Sequence, residues 1–214
     1  MTIYALSSGS GISGISVIRV SGPETKKVIE KLSQGRFPKP RVATLKKINV
    51  INSKELIDEG IIIWFPGPNS YTGEDMAEFH LHGSRAVILA LQTSISQIKG
   101  CRLAEPGEFT KLALQNNKIN LLKAESIGDI IKSETEIQRK QAIKIMSGTN
   151  ISKFDDWREK LVKILSNIEA KIDFPEEDLP YEILKNLKKD AKKIEAEIKK
   201  TLNDNKVGEI IREG

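Results

Sequence analysis

The sequence predicts an α+β fold in two parts, a strand-rich domain at residues 1–118 and a helical one at residues 119–214. Three observations carry this. Before residue 119, short runs rich in β-branched side chains are punctuated by Gly, Pro, Asn and Ser, the pattern of strands joined by turns. After it, that punctuation is missing over long stretches and apolar residues recur at three- and four-residue steps, the period of helices buried along one side. Within the first part, residues 75–82 alternate, with Ala77, Phe79 and Leu81 on one side and Met76, Glu78, His80 and His82 on the other. That is a strand with a core face and a polar face.

Taken in order, TIYAL at residues 2–6 forms a strand, residues 7–14 a small-residue loop, and ISVIRV at residues 15–20 a second strand. Ser21-Gly22-Pro23-Glu24 matches the S-x-x-E start of a helix that runs to Leu32. Residues 41–50 and 56–65 pair as strands about the turn Asn52-Ser53-Lys54, and Pro66-Gly67-Pro68-Asn69 ends the second. Gly83-Ser84 caps a helix over residues 85–98 closed by Gly100, and Pro106-Gly107 opens another at Glu108. Asn120 caps a long amphipathic stretch over residues 121–146, with room for a break. Phe154, Trp157, Leu161, Ile164, Ile168 and Ile172 repeat at helical spacing, as do Leu184, Leu187, Ala191, Ile194, Ile198 and Leu202 beyond the acidic break FPEEDLP at residues 174–180. These are two helices, expected to run antiparallel.

The 34 Lys and Arg against 29 Asp and Glu leave a net charge of +5 and a pI near 9.1. The charges are interspersed, so the excess is compatible with RNA without diagnosing it. Cys101 is the sole cysteine, which excludes a disulfide framework or a CxxC metal site within one chain and fits a reducing, cytoplasmic setting. The opening MTIYALSSGSG has no basic n-region, and no window approaches the roughly 18 apolar residues of a membrane span. The expectation is a chain neither exported nor inserted in a membrane.

Several motifs invite chemistry. Gly9-Ser10-Gly11-Ile12-Ser13-Gly14 matches G-x-G-x-x-G after a strand, but a dinucleotide loop must open a helix and ISVIRV is strand-like. A flexible covering or contact loop, or a plain turn, fits better. His80-x-His82 with Glu78 has the spacing of metal ligands on one strand face, yet the sequence holds no third His, so hydrogen-bonded or solvated histidines are favoured and no metal is expected. No G-x-x-x-x-G-K-[ST] and no G-x-S-x-G occurs, so neither a P-loop nor a nucleophile elbow is present. The lysines of residues 183–200 read as the wet face of a packed helix, diluted by Asp190, Glu195 and Glu197.

The blocks VIRVSGP (17–23), WFPGPNSYTGED (64–75), His82-Gly83, PGEFTKLALQNNKINLLKAE (106–125) and DFPEEDLP (173–180) stand in the order and at the spacing of the MnmE (TrmE) family of tRNA-modifying GTPases. The chain resembles that family over nearly its whole length, and IREG at residues 211–214 resembles the segment ahead of the family's P-loop. The resemblance implies an N-terminal mixed-sheet domain similar to the tetrahydrofolate-binding domain of glycine-cleavage aminomethyltransferase, forming a homodimer and binding 5-formyl- or 5,10-methylenetetrahydrofolate. A partial bundle of long helices follows. GTP, Mg and K belong to a G domain beyond these residues, so this part alone is not expected to hydrolyse GTP. The resemblance further implies action with the FAD-dependent partner MnmG (GidA) on C5 of the wobble uridine of tRNA, the folate serving as one-carbon donor.

Carried over by motif, the cofactor-binding residues are Arg19, Glu78 and Lys118, with no catalytic residue assigned. The residue types suit the ligand: a carboxylate accepts from the amidine-like edge of a pterin, and Arg or Lys suits an anionic folate tail. Read singly, Glu78 is equally an exposed strand residue, Arg19 an ion-pair partner and Lys118 a helix C-terminal charge. The sequence departs from the family at Gly11-Ile12-Ser13-Gly14, where many relatives carry a Pro-Gly-Arg-Gly-type loop. Cys101 does not take the role of the family's C-terminal cysteine. Two other classes stay open: a free-standing folate-dependent one-carbon transferase, and a non-catalytic dimerisation scaffold. The apolar stripes Trp157, Leu161, Ile168 and Leu184, Leu187, Ile194 are expected to be incompletely covered.

Overall fold

The computed structural model describes residues 1–148, 151–173 and 181–203, and its chain divides into two compact units, Met1–Asn120 and Leu121–Gly214. The first is built on strands β1 (Thr2–Leu6), β2 (Ser13–Ser21), β3 (Thr44–Asn49), β4 (Leu56–Phe65), β5 (Met76–Gly83) and β6 (Cys101–Leu103), with helices α1 (Thr25–Leu32), α2 (Arg85–Ser96) and α3 (Glu108–Gln115). The strands form one mixed sheet in the order β3-β4-β5-β2-β1-β6. All neighbours run antiparallel except β1 and β6, which are parallel. This is the mixed-sheet α+β fold that the sequence predicts.

Register decides which side chains share a face. Ile18, Phe79 and Ile62 stand side by side on β2, β5 and β4, all fully buried. They join Val28, Ile29 and Leu32 of α1 and Leu91 and Ile95 of α2 in one core cluster. One residue along, Arg19, Glu78 and Ile63 form the next row, and the two-residue period of a strand turns that row to the opposite face.

The differences from the sequence expectations are local. β2 begins at Ser13 rather than Ile15 because the pairing with β5 continues to Ser13 and Gly83 past a bulge. β3 starts only at Thr44, since Arg41 takes a positive φ of 60° while its N–H donates to the Trp64 carbonyl. α2 stops at Ser96, the chain leaving through turns that close on Ser94 and Ile95. Its start is as expected, with the Ser84 hydroxyl accepting from the Val87 N–H.

The S-x-x-E reading of α1 is corrected. No side chain caps the helix, whose N-cap is Glu24. Ser21 ends β2 on the Arg19 face, so its hydroxyl lies against Thr72 and Glu74 instead, and the Glu24 N–H is satisfied by the Thr2 hydroxyl at 2.8 Å. Met76 also departs from its expected polar surroundings: it is 1% exposed, covered by the 66–75 loop, whose Thr72 N–H donates to its sulfur at 3.4 Å.

The second unit holds α4 (Leu121–Lys132), α5 (Glu136–Met146), α6 (Ile151–Asp173) and α7 (Tyr181–Leu202). The break expected within residues 121–146 falls at 133–135, where Thr135 and Gln138 cap α5 reciprocally. The α6 and α7 helices are antiparallel: Lys153 donates to Thr201 and Trp157 to Glu197, each at 2.8 Å. Trp157 and Ile194 are buried, contrary to the expected exposure of their stripes, whereas Leu161 at 46% and Ile168 at 42% do lie exposed. Lys188, Lys189, Lys192, Lys193, Lys199 and Lys200 are exposed, as a wet face requires. The Leu184 side chain, the FPEEDLP break and the IREG segment lie outside the described residues.

Candidate ligand site on the outer face of the sheet

The face opposite the helical core carries the charged residues that the sequence singles out. Arg19 on β2 and Glu78 on β5 are cross-strand partners, and the guanidinium donates to one carboxylate oxygen, Oε1, through Nε at 3.1 Å and Nη2 at 2.9 Å. The second oxygen, Oε2, faces His80 Nε2 at 3.3 Å. The pair is half-buried, with side-chain exposures of 29% for Arg19 and 17% for Glu78. At such a site less water competes for the pair's hydrogen bonds than on an open surface.

Two rings complete the surroundings of Arg19. Its Cζ lies 5.6 Å from the Tyr71 ring centroid and 5.7 Å from that of Phe109, within cation–π range. Tyr71 is on the 66–75 loop and Phe109 on α3, and the two segments are tied by a hydrogen bond of 2.9 Å between the Tyr71 and Thr110 hydroxyls. Buried Thr72 extends that support: its hydroxyl meets Ser21 at 2.7 Å and its carbonyl accepts from Asn116 Nδ2 at 2.7 Å.

Lys118 is set by the end of α3. The Asn117 N–H bonds Leu114 O and the Lys118 N–H bonds Ala113 O, while Asn117 takes a left-handed φ of 54°; this is a Schellman closure with Asn in the usual Gly position. The turn lays the Lys118 chain along Gly73, whose φ is +83° and where a Cβ would sit 2.9 Å from Lys118 Cε. The structure thus brings Arg19 and Glu78 into direct contact and leaves Lys118 on the adjoining turn, outside their ion pair. Tyr71, Phe109, Thr72 and Asn116 were not singled out from sequence, although all four fall inside the blocks that carry the family resemblance.

Each histidine lies against a carboxylate. His82 Nδ1 lies 2.9 Å from Asp58 Oδ1, and its backbone N–H donates to Oδ2 at 2.8 Å. Burial alone would push the Asp58 carboxyl up, but the hydrogen bonds from His82 and from the Glu59 N–H outweigh it and hold the group below its ordinary value. Among the described residues no cluster of His, Cys, Asp and Glu could hold a metal ion, and no helix is long and apolar enough to cross a membrane.

A sheet domain with a charged, aromatic-walled outer face, followed by a unit of helices, is the class that these features define. Family models agree with both parts: the one described as "GTP-binding protein TrmE N-terminus" matches residues 2–118, and "MnmE helical domain" matches residues 121–214. The chain belongs to the MnmE (TrmE) family. It is 70% identical over 214 residues to the "tRNA modification GTPase MnmE" of Pelagibacter ubique, covering all of this chain and 48% of that protein. Proteins of the same name from Rickettsia rickettsii and Parvibaculum lavamentivorans are 44% and 41% identical over 213 residues, with 48% and 49% of their lengths covered. The chain spans about half the length of the curated relatives it matches.

Proposed function

We propose that the Arg19–Glu78 face binds a reduced folate, 5-formyl- or 5,10-methylenetetrahydrofolate, for the C5 modification of the tRNA wobble uridine by a homodimeric protein acting with MnmG (GidA). The observation that carries this reading is the half-buried Arg19–Glu78 pair set beside Tyr71 and Phe109. The donor set fits the ligand. Glu78 is the acceptor for a pterin's planar donor edge, the two rings are surfaces for its flat heterocycle, and three of the guanidinium's five N–H groups are not engaged by Glu78. Lys118, exposed on the neighbouring turn, suits the carboxylates of the folate tail. When bound, the folate supplies the one-carbon unit; the residues of this chain hold and orient it and exclude water from one side. GTP hydrolysis belongs to the remainder of the relatives' length.

Calorimetric titration of the purified chain with 5-formyltetrahydrofolate tests the reading. Saturable binding is expected, weakened at least tenfold by Glu78→Ala, which removes the acceptor for the pterin's donor edge, or by Arg19→Ala, which removes the donors that hold that acceptor in place. Heat that never saturates, or affinity indifferent to both substitutions, overturns it. Light scattering of the same sample reports the dimer.

A further inference from the structure

Glu78 is held from two sides, and the two holds are unequal. Arg19 places two N–H donors on Oε1 at 3.1 and 2.9 Å, whereas Oε2 has the single, longer contact with His80 Nε2 at 3.3 Å. A ligand that donates from a planar edge needs both oxygens of a carboxylate or, failing that, the more weakly held one. That oxygen is Oε2, and its holder is an imidazole, the side chain whose charge changes most readily near neutrality.

We propose that His80 is a positioning residue for Glu78 whose protonation gates the site: a protonated His80 holds Oε2 through a charge-assisted hydrogen bond that the ligand's donor edge must displace, and a neutral His80 holds it more weakly. The inference rests on the folate reading above and adds its regulation. A protonated His80 makes a charge-assisted hydrogen bond that the incoming edge must break, and its release leaves a cation beside the ligand's donors. Binding is therefore linked to loss of one proton from His80.

The surroundings leave His80 few other partners. Its cross-strand neighbours are Val17 on β2 and Ile61 on β4, both apolar. The charged or titratable groups on the same face are Arg19 on β2, Glu78 and His82 on β5, Glu59 two residues before Ile61 on β4, and Lys47, which pairs with Glu59 from β3. His82 is engaged by Asp58 and Arg19 by Glu78. Tyr71 contributes a ring and a hydroxyl held by Thr110.

The test is affinity for 5-formyltetrahydrofolate measured from about pH 5 to 8, where imidazole titrates, in the wild type, His80→Gln and His82→Gln. Gln at position 80 keeps a hydrogen-bond donor and loses the titration. Wild type and His82→Gln should tighten roughly tenfold per pH unit on the acid side and level off, while His80→Gln varies less than about twofold; the ratio of variant to wild type at each pH cancels the ligand's own titration. A second readout needs no variant: in nitrogen-15 spectra the His80 Nε2 resonance should shift on saturation with the folate as its bond to Glu78 is lost. Saturable binding with the same pH slope in wild type and His80→Gln, or an unmoved His80 resonance, overturns the gate while leaving the folate reading intact. Absence of saturable binding at every pH overturns both.

Discussion

Phe79 and Glu78 are neighbours in sequence on opposite faces of β5, and substituting each should separate stability from binding. Phe79 is fully buried between Ile18 and Ile62, which are themselves fully buried. Phe79→Ala removes the ring and leaves a cavity that strands on both sides cannot collapse to fill, at about 3–5 kcal/mol. Against a typical net stability of about 5–15 kcal/mol, that is a large share, and at roughly 4 °C per kcal/mol for a unit of this size it lowers the Tm by about 12–20 °C. Glu78→Gln breaks a half-exposed ion pair and should cost about 1 kcal/mol or less. Trp64 lies in the first unit and Trp157 in the second, so urea unfolding followed by fluorescence in a Trp157→Phe background reports the sheet alone. Phe79→Ala should be strongly destabilised yet bind 5-formyltetrahydrofolate normally where it remains folded; Glu78→Gln should be stable and bind poorly. A loss below about 1 kcal/mol for Phe79→Ala, or an equal loss for the two variants, would refute the assignment of their side chains to opposite faces.

Two further outcomes concern pH and capping. Hydrogen bonds from Arg102 and from the Glu105 N–H hold the Glu108 carboxyl at about 2, below its ordinary 4.5. A depressed carboxyl contributes stability that is fully present above the ordinary value and is lost as pH falls toward the folded one. Urea midpoints of the first unit should therefore drop between about pH 5 and pH 2, and Glu108→Gln should flatten that limb. In the second unit, Thr135→Ala removes the reciprocal cap with Gln138 and should cost about 1 kcal/mol, read as a lower midpoint from Trp157 fluorescence; an unchanged midpoint would mean that the turn at 133–135 does not depend on its cap.

The fold was legible where one physical period dominates. The Ala77-Phe79-Leu81 alternation gave β5 and Ser84 gave the start of α2, whereas the Thr135-x-x-Gln138 cap that places the break in the long stretch was not singled out. The fold was misread where tertiary contacts outbid a local motif. Ser21 has the right spacing for a capping box, yet strand parity points it at Thr72, and Met76 has the right parity for solvent, yet the 66–75 loop covers it. The site was half legible. Arg19 and Glu78 lie 59 positions apart, and only the β2–β5 register turns two motif residues into an ion pair. Tyr71 and Phe109 carry no periodic signal; they reach Arg19 because a loop and α3 meet through Thr110.

The way Arg19 and His80 hold Glu78 bears on what the site selects. With Arg19 on one oxygen and His80 near the other, the carboxyl group has partners of its own before any ligand arrives, and these offset part of the cost of its half-buried place. The same compensation raises the bar for binding. A neutral ligand with one weak donor would trade a charge-assisted bond for a poorer one, whereas an amidine-like edge presenting two parallel N–H groups replaces what it displaces and adds a fixed direction. On the proposed reading, discrimination therefore lies in the edge rather than in the bulk of the heterocycle. A tetrahydrofolate analogue of the same shape lacking the exocyclic amino group should bind at least tenfold more weakly, the usual consequence of leaving a site's polar group unpaired. The difference should vanish in Glu78→Gln, where the acceptor pair is gone. Competition against 5-formyltetrahydrofolate measures both; equal affinity of analogue and parent in the wild type would mean that Glu78 does not read the ligand, whatever else holds it on this face.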